Sequence, residues 1–245
     1  MGEAERRVDS ANRLIDAEPE SPTGATGVFG RMERLCSALT RNLPASGAGV
    51  SVLTGDSYRG GTVAAHGAGS RRLEELQFTL GEGPCIEAYA SRKPVLEPDL
   101  VGNGVRRWPG YAAAAHQEGV RAVFAFPLQI GAARAGALDI YRDEPGSLTT
   151  VAFAQAETFA EIAMRLLLDN QAVARDGHTH TDLDDALAYR LEVYHAQGMV
   201  MVDLGVSLDE AMAVLRARAF SHERSLNDVA ADIVAGNLRL TRDEP

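Results

Sequence analysis

The sequence predicts an α+β domain, with an antiparallel sheet flanked by helices, followed by an all-α three-helix bundle, the two joined by a long helix. Three observations carry this. Two pairs of short apolar stretches are each joined by a tight turn, which implies antiparallel hairpins, not the crossovers of a parallel sheet. A run from Leu148 to Asn170 keeps Ala152, Phe153, Ala156, Phe159, Ala160, Ala163, Leu166 and Leu167 along one side of a helix. Beyond residue 182 only helical periods remain, two of them opened by serine caps.

Residues 1–26 read as a flexible leader with a short helix near Val8–Asp16, followed by a Pro/Gly/Ser/Thr linker. The first domain is then residues 27–171. Val28, Met32, Leu35, Cys36 and Leu39 recur at helical spacing and stop before Pro44. GAGVSVLT (47–54) and GTVAAHG (61–67) read as strands around the turn GDSYRG, and Ser70 caps a short helix, Arg71–Phe78. Gly81-Glu82-Gly83 is a turn, and Pro84 suits the first position of a helix ending near Arg92. Pro94–Leu96 is extended. After Trp108-Pro109, Tyr111–Glu118 is a small Ala-rich helix. RAVFAFPLQI (121–130) and RAGALDIYR (134–142) form the second hairpin over Gly131-Ala132-Ala133.

Composition breaks over 172–182, where ARDGHTHTD (174–182) reads as a hinge, and the bundle occupies 183–240. Leu183, Leu187, Leu191, Tyr194, Gly198 and Met201 approximate a heptad seam, which suggests a homodimer. Ser207-Leu208-Asp209-Glu210 is a capping box, with Leu208, Ala211, Met212, Leu215 and Ala219 on one face of the helix it opens. Ser225-Leu226-Asn227-Asp228 repeats the cap ahead of Val229, Ala230, Ile233 and Val234, and Gly236 stops the last helix.

The chain of 245 residues has 24 Lys+Arg against 34 Asp+Glu, a formal net charge of −10, and 45% hydrophobic residues. That composition suits a globular protein and argues against broad attachment to nucleic acid or anionic membrane, both of which need a positive surface. Lys93 is the one lysine, so arginine supplies nearly all the positive charge. No stretch of about 18 apolar residues could span a bilayer. The first 26 residues lack the apolar core of a signal peptide, so a cytoplasmic location and no membrane partner are expected. Cys36 and Cys85 are too few for a disulfide framework, and no Cys/His spacing suggests zinc.

The C-terminal pattern resembles an ANTAR domain. Arg190, then His195-Ala196-Gln197-Gly198-Met199-Val200-Met201, Leu204-Gly205-Val206-Ser207 with Glu210-Ala211, Leu215-Arg216, Ala219 and Leu226-Asn227-Asp228-Val229-Ala230 carry the likeness. Gln197 stands where many members have lysine. The preceding region resembles a GAF domain, on Gly81-Glu82-Gly83-Pro84-Cys85, Pro94-Val95-Leu96, Trp108-Pro109 and Gly136-Ala137-Leu138-Asp139-Ile140-Tyr141. GAF followed by ANTAR is the order of a known family of bacterial regulators. The resemblance implies a sensor whose small-molecule or redox signal lets an ANTAR dimer hold paired RNA stem-loops of a nascent transcript and prevent termination. It implies no enzyme activity.

Arg190, Arg216, Arg218 and Arg224 are candidates for phosphate contact and base stacking, since guanidinium does both. His195 and Gln197 could offer hydrogen bonds to bases, and Gly198 could admit a close RNA approach or close helix packing. From residue 181 onward there are six arginines against twelve acids, so exposed arginine on an amphipathic helix remains an alternative reading of all four. Cys85, Trp108, Tyr111, Phe124, Phe126 and Tyr141 are candidates for lining a ligand cavity, which the GAF resemblance implies lies between the sheet and the Cys85–Trp108 segment. A helix start would lower the Cys85 thiol pKa, so a redox role stands beside a semi-buried pocket role. A third reading, a thiol catalyst like that of the free-methionine sulfoxide reductases, would need Cys36 as its resolving thiol. His116 as a haem ligand, cyclic nucleotides and nucleoside triphosphates find no supporting motif, which leaves the cofactor unknown.

Overall fold

The computed structural model describes residues 2–20, 23–54, 59–175, 191–222 and 224–241. It divides into two compact units, residues 1–182 and 183–245.

The first unit is built on a five-stranded antiparallel sheet of order β2-β1-β5-β4-β3. β1 (Gly47–Thr54) and β2 (Arg59–His66) form one hairpin, and β4 (Ala122–Ile130) and β5 (Ala133–Arg142) the other. The two hairpins join where β1 pairs with β5, Val50 opposite Leu138 and Gly49 opposite Asp139. β3 (Val95–Glu97) adds an edge beside β4. Both expected hairpins are present; their union through β5 is long-range and leaves no local mark in the sequence.

Two layers of helix cover the sheet. α2 (Gly27–Asn42) and α7 (Thr150–Arg175) lie on one face. α3 (Ser70–Leu80), α4 (Pro84–Ser91) and α6 (Pro109–Gln117) lie on the other, with a π-helical turn at Leu100–Gly104 and the single turn α5 (Val105–Arg107) leading into α6. Strand alternation divides the core accordingly. Val123, Ala125 and Tyr141 pack with Leu73, Ala88, Trp108 and Tyr111 on the α3/α4/α6 side. Phe126 meets Phe153 of α7 on the other side, with ring centroids 5.4 Å apart.

The N-terminal segment departs from the flexible leader expected. Residues Glu3–Ala17 form one helix, α1, against α2 and α7. Ala11 and Ile15 are buried, Asp16 pairs with Arg31 at 2.5 Å, and the Ser37 hydroxyl donates to Glu18 at 2.6 Å. Its apolar stripe of Ala4, Val8, Ala11, Leu14 and Ile15 keeps helical spacing through the surrounding charge, and this period is the signal for the longer helix.

In the second unit α8 (Leu191–Leu204), α9 (Leu208–Ser221) and α10 (Leu226–Val234) enclose a small core. It is made of Val193, Ala196, Val200, Leu204, Ala211, Met212, Leu215, Ala219, Leu226, Val229, Ala230 and Ile233. The expected capping box forms: Ser207 Oγ accepts from the Glu210 amide at 3.3 Å, and Glu210 Oε2 accepts from the Ser207 amide at 2.8 Å. Ser225 accepts from the Asp228 amide at 3.0 Å. Gly205 turns out of α8 with φ 62°, a left-handed conformation that glycine adopts without strain. The heptad-like seam borders this core without being part of it. Leu191 is exposed, Tyr194, Gly198 and Met201 are half-buried, and Leu183 and Leu187 lie outside the described residues.

Two stability outcomes follow from these contacts. Ile15→Ala is expected to cost about 2–5 kcal/mol, because it opens a void where α1 docks; a leader that did not pack would cost nothing in chemical denaturation. Ser207→Ala is expected to cost the bundle about 0.5–2 kcal/mol and to remove the hydroxyl's part, though not the amide's, of the hydrogen bonding that holds the Glu210 carboxyl pKa below its ordinary value. NMR titration of the Glu210 side chain checks the second: its midpoint rises in the variant.

Candidate functional site

On the α3/α4/α6 side of the sheet the core is polar at its centre. Ser70, Leu73, Glu74 and Gln77 of α3 all point inward and are buried, as the helical period dictates for positions three and four apart. Asp139 of β5 shares the inward register of Ala137 and Tyr141 and is 0% exposed. Glu74 and Asp139 therefore meet beneath the sheet. Ser51 Oγ donates to Glu74 Oε2 at 2.5 Å and the Tyr141 hydroxyl to Glu74 Oε1 at 2.6 Å. Gln77 Nε2 donates to Asp139 Oδ2, and the Tyr141 hydroxyl lies 3.4 Å from that same oxygen.

Cys85, 3% exposed, completes the cluster from the first turn of α4. Its backbone amide donates to Gln77 Oε1 at 2.7 Å, so one glutamine side chain ties α4 to Asp139. Gly81 ends α3 in the left-handed region at φ 69°, and Gly83 (φ 140°) brings the chain so close that a Cβ there would meet Gln77 Oε1 at 2.5 Å. Between them Glu82 turns outward, and its Oε1 accepts from the amides of Gly110 and Tyr111 at 2.7 and 2.9 Å. That carboxylate sits at the N-terminus of α6, where it satisfies free amides and the helix dipole.

Burial dominates the electrostatics. It raises the Asp139 pKa well above the usual carboxylate range, with Glu74 adding to the rise while the Gln77 and Tyr141 hydrogen bonds oppose it. Burial, then Glu74 and Asp139, push Tyr141 well above the ordinary phenol value. Tyr111 is raised by burial, then by Asp139, Glu74 and Cys85. Its hydroxyl stands beside that of Tyr141 without a hydrogen bond of good geometry, and Asp139 Oδ1 likewise has no partner.

Of the six expected lining residues, Cys85, Trp108, Tyr111 and Tyr141 come together here. Trp108 donates its indole N–H to Glu87 at 3.2 Å and carries the Arg107 guanidinium 4.3 Å above its ring. Phe124 and Phe126 do not line this site. Strand alternation turns them to the opposite face, toward α7, and the inward positions are Val123 and Ala125. A groove of about 430 Å³ between α1 and α7 is lined by none of the six. Cys36 is fully buried, which pushes its thiol up, and His116 is exposed. Ser51, Glu74, Gln77 and Asp139 were not singled out for this site, although polar residues at core-facing helix and strand positions were a readable signal.

The expected RNA-contacting residues are scattered over the second unit. Arg190 lies outside the described residues. His195 is exposed on α8, but Gln197, 1% exposed, is inside the bundle, where its Nε2 donates to the Leu208 carbonyl at 2.7 Å. Two residues are about 200° apart on a helix, so His195 and Gln197 cannot share a surface. The expectation that Gln197 reads bases is corrected: it ties α8 to the first turn of α9. Gly198 is half-buried with open space where a Cβ would stand, so close packing within this unit does not require it. Arg216 and Arg218 are half-buried on different faces of α9, and exposed Arg224 pairs with Asp232 at 2.7 Å.

A GAF domain model matches residues 31–167 and an ANTAR domain model residues 181–234. The first match covers more than half of the chain, which belongs to the GAF domain family and carries an ANTAR domain after it. Solved structures agree on the fold. A GAF domain of a phosphoenolpyruvate-protein phosphotransferase from Coxiella burnetii is 15% identical, with a TM-score of 0.52 over 70% of this chain and 96% of its own. A free methionine-R-sulfoxide reductase from Neisseria meningitidis, in complex with its substrate, is 14% identical, with a TM-score of 0.51 over 69% and 91%. The third GAF domain of a Synechocystis protein, in its photoproduct state, is 16% identical, with a TM-score of 0.51 over 62% and 100%. No curated protein matches the chain. Among the described residues no helix is long and apolar enough to cross a membrane.

One outcome isolates the buried acids. Because the Asp139 pKa rises on folding, the folded state takes up protons, and this group lowers stability as pH climbs above the ordinary carboxylate range. Asp139→Asn removes that dependence. In the ligand-free protein the stability of the variant relative to the parent is expected to increase from pH 4 towards neutrality, as read by thermal unfolding across pH.

Proposed function

We propose that the chain is a signal-responsive, RNA-binding transcription antiterminator. The GAF domain takes the input at the Glu74–Cys85–Asp139 cluster, and the ANTAR domain, acting as a homodimer, holds paired RNA stem-loops and keeps a terminator from forming. It works by binding in the cytoplasm and carries out no chemical step. The observation that carries this reading is the pairing of the two domain types in one chain.

The bundle supports a particular manner of binding. With six arginines against twelve acids from residue 181 onward, it cannot neutralise an extended phosphate backbone. A few arginines at each of two loops, with the second contact made intramolecular by the dimer, can provide affinity that one site would not. The half-buried Tyr194, Gly198 and Met201 beside exposed Leu191 offer a seam for the second copy.

A gel shift of the full chain with RNA bearing two short hairpin loops tests the proposal. Arg190→Ala and Arg218→Ala are each expected to weaken binding by the about 1–3 kcal/mol that a stacked base contributes. Arg72→Ala, which removes an exposed ion pair with Glu118 in the first unit, should leave binding unchanged. No shift with or without added small molecules, combined with capture of a protein partner through the exposed Val202 and Phe220, would replace this reading with a sensor that acts through protein contacts.

A further inference from the structure

We propose that Glu74, Cys85 and Asp139 bind one divalent transition-metal ion, and that this ion is the ligand through which the GAF domain takes its input. The assignment rests on reading that domain as the input side. One carboxylate oxygen from each acid and Cys85 Sγ lie within 4.8 Å of one another, all three residues being buried. Donors around a tetrahedral metal at about 2.0–2.3 Å stand roughly 3.3–3.8 Å apart, so side-chain shifts of about 1 Å would close the shell.

Two further features point to a guest. Among the described residues Asp139 Oδ1 is buried without a hydrogen-bond partner, and the Tyr111 hydroxyl beside it has only a poorly aligned contact with Tyr141, an expensive arrangement unless something else supplies the contact. Around the three donors stands a shell of the kind that orients metal ligands. The Ser51 and Tyr141 hydroxyls fix the two oxygens of Glu74, while Gln77 holds Asp139 Oδ2 with its amide nitrogen and the Cys85 backbone with its oxygen. Asp139 thereby keeps Oδ1 for an incoming ligand.

Charge and donor type select the ion. On binding, a thiolate and two carboxylates at 3% exposure or less would place three negative charges in the core, which the cation offsets in place of the protons that neutralise buried acids without it. A thiolate disfavours magnesium and calcium, which prefer oxygen alone, and a mixed sulfur and oxygen set suits iron(II), cobalt(II) or zinc. The sequence carries no metal-binding spacing because the three ligands come from a helix, a helix start and a strand.

The test uses the full chain, stripped with chelator and titrated anaerobically with cobalt(II). Binding of one equivalent with a thiolate-to-cobalt charge-transfer band is expected, and zinc should displace it. The chain has only two cysteines, so a band that persists in Cys36→Ser assigns the ligand to Cys85 without relying on any change at the site. Asp139→Asn, its fold checked by circular dichroism, should weaken binding at least about tenfold. No band in the parent, a band lost in Cys36→Ser, or full affinity in a folded Asp139→Asn protein overturns the proposal. No RNA enters this measurement. A chain that binds metal but shifts no RNA keeps the ion and loses the antitermination reading, and the converse result does the opposite.

Discussion

Glu74 and Asp139 share the interior of the first domain, and the arrangement around them follows from the demand this makes. Two carboxyl groups removed from water need donors, and each donor comes from a different element: Ser51 from β1, Gln77 from α3, Tyr141 from β5. Leaving one of them out would take from a buried acid one of its hydrogen-bond donors, at a cost of about 1–3 kcal/mol. The packing of α3 on the β1–β5 junction is therefore specified by hydrogen bonds as well as by apolar area. Through Gln77 the specification reaches α4, and through Glu82 it reaches α6. A domain that needed only stability would fill this volume with leucine.

Among the described residues, the second unit has no such centre. Its core is a thin apolar layer of alanine, valine and a few leucine, isoleucine and methionine side chains, closed at its corners by two serine caps and by Gln197. A bundle of this size buries a modest fraction of its surface, so each cap and crosslink is a large share of what holds it together. Its surface keeps Met199, Val202 and Phe220 in contact with solvent, with Phe220 73% exposed.

Much of this was legible in advance, and what escaped has a physical pattern. Both hairpins, the long helix and the two caps are local signals, set by alternation, period or a serine followed three residues later by an acid. The pairing of β1 with β5 and the meeting of Glu74 with Asp139 are not local, and no window of sequence contains them. Phe124 and Phe126 are candidates for the site through the GAF resemblance, whereas the strand register places the smaller Val123 and Ala125 there. Gln197 is a base-contact candidate from its place in the ANTAR-like motif, while its helical neighbours Val193, Ala196 and Val200 turn it into the bundle. In each case the family resemblance was a poorer guide than the residue's phase.

α7 packs on the sheet's core over most of its described side chains, with Ala152, Ala156, Phe159, Ala163 and Leu167 buried. At 26 residues it is about 39 Å long, rooted where Phe153 touches Phe126 and packed against α1 and α2. Such a rod converts angle into travel. A tilt of about 5° at its root, well within what a change of side-chain packing produces, carries its far end about 3 Å. A ligand that shifts β5 by less than a bond length thus has a mechanical amplifier already attached to the sheet that holds it.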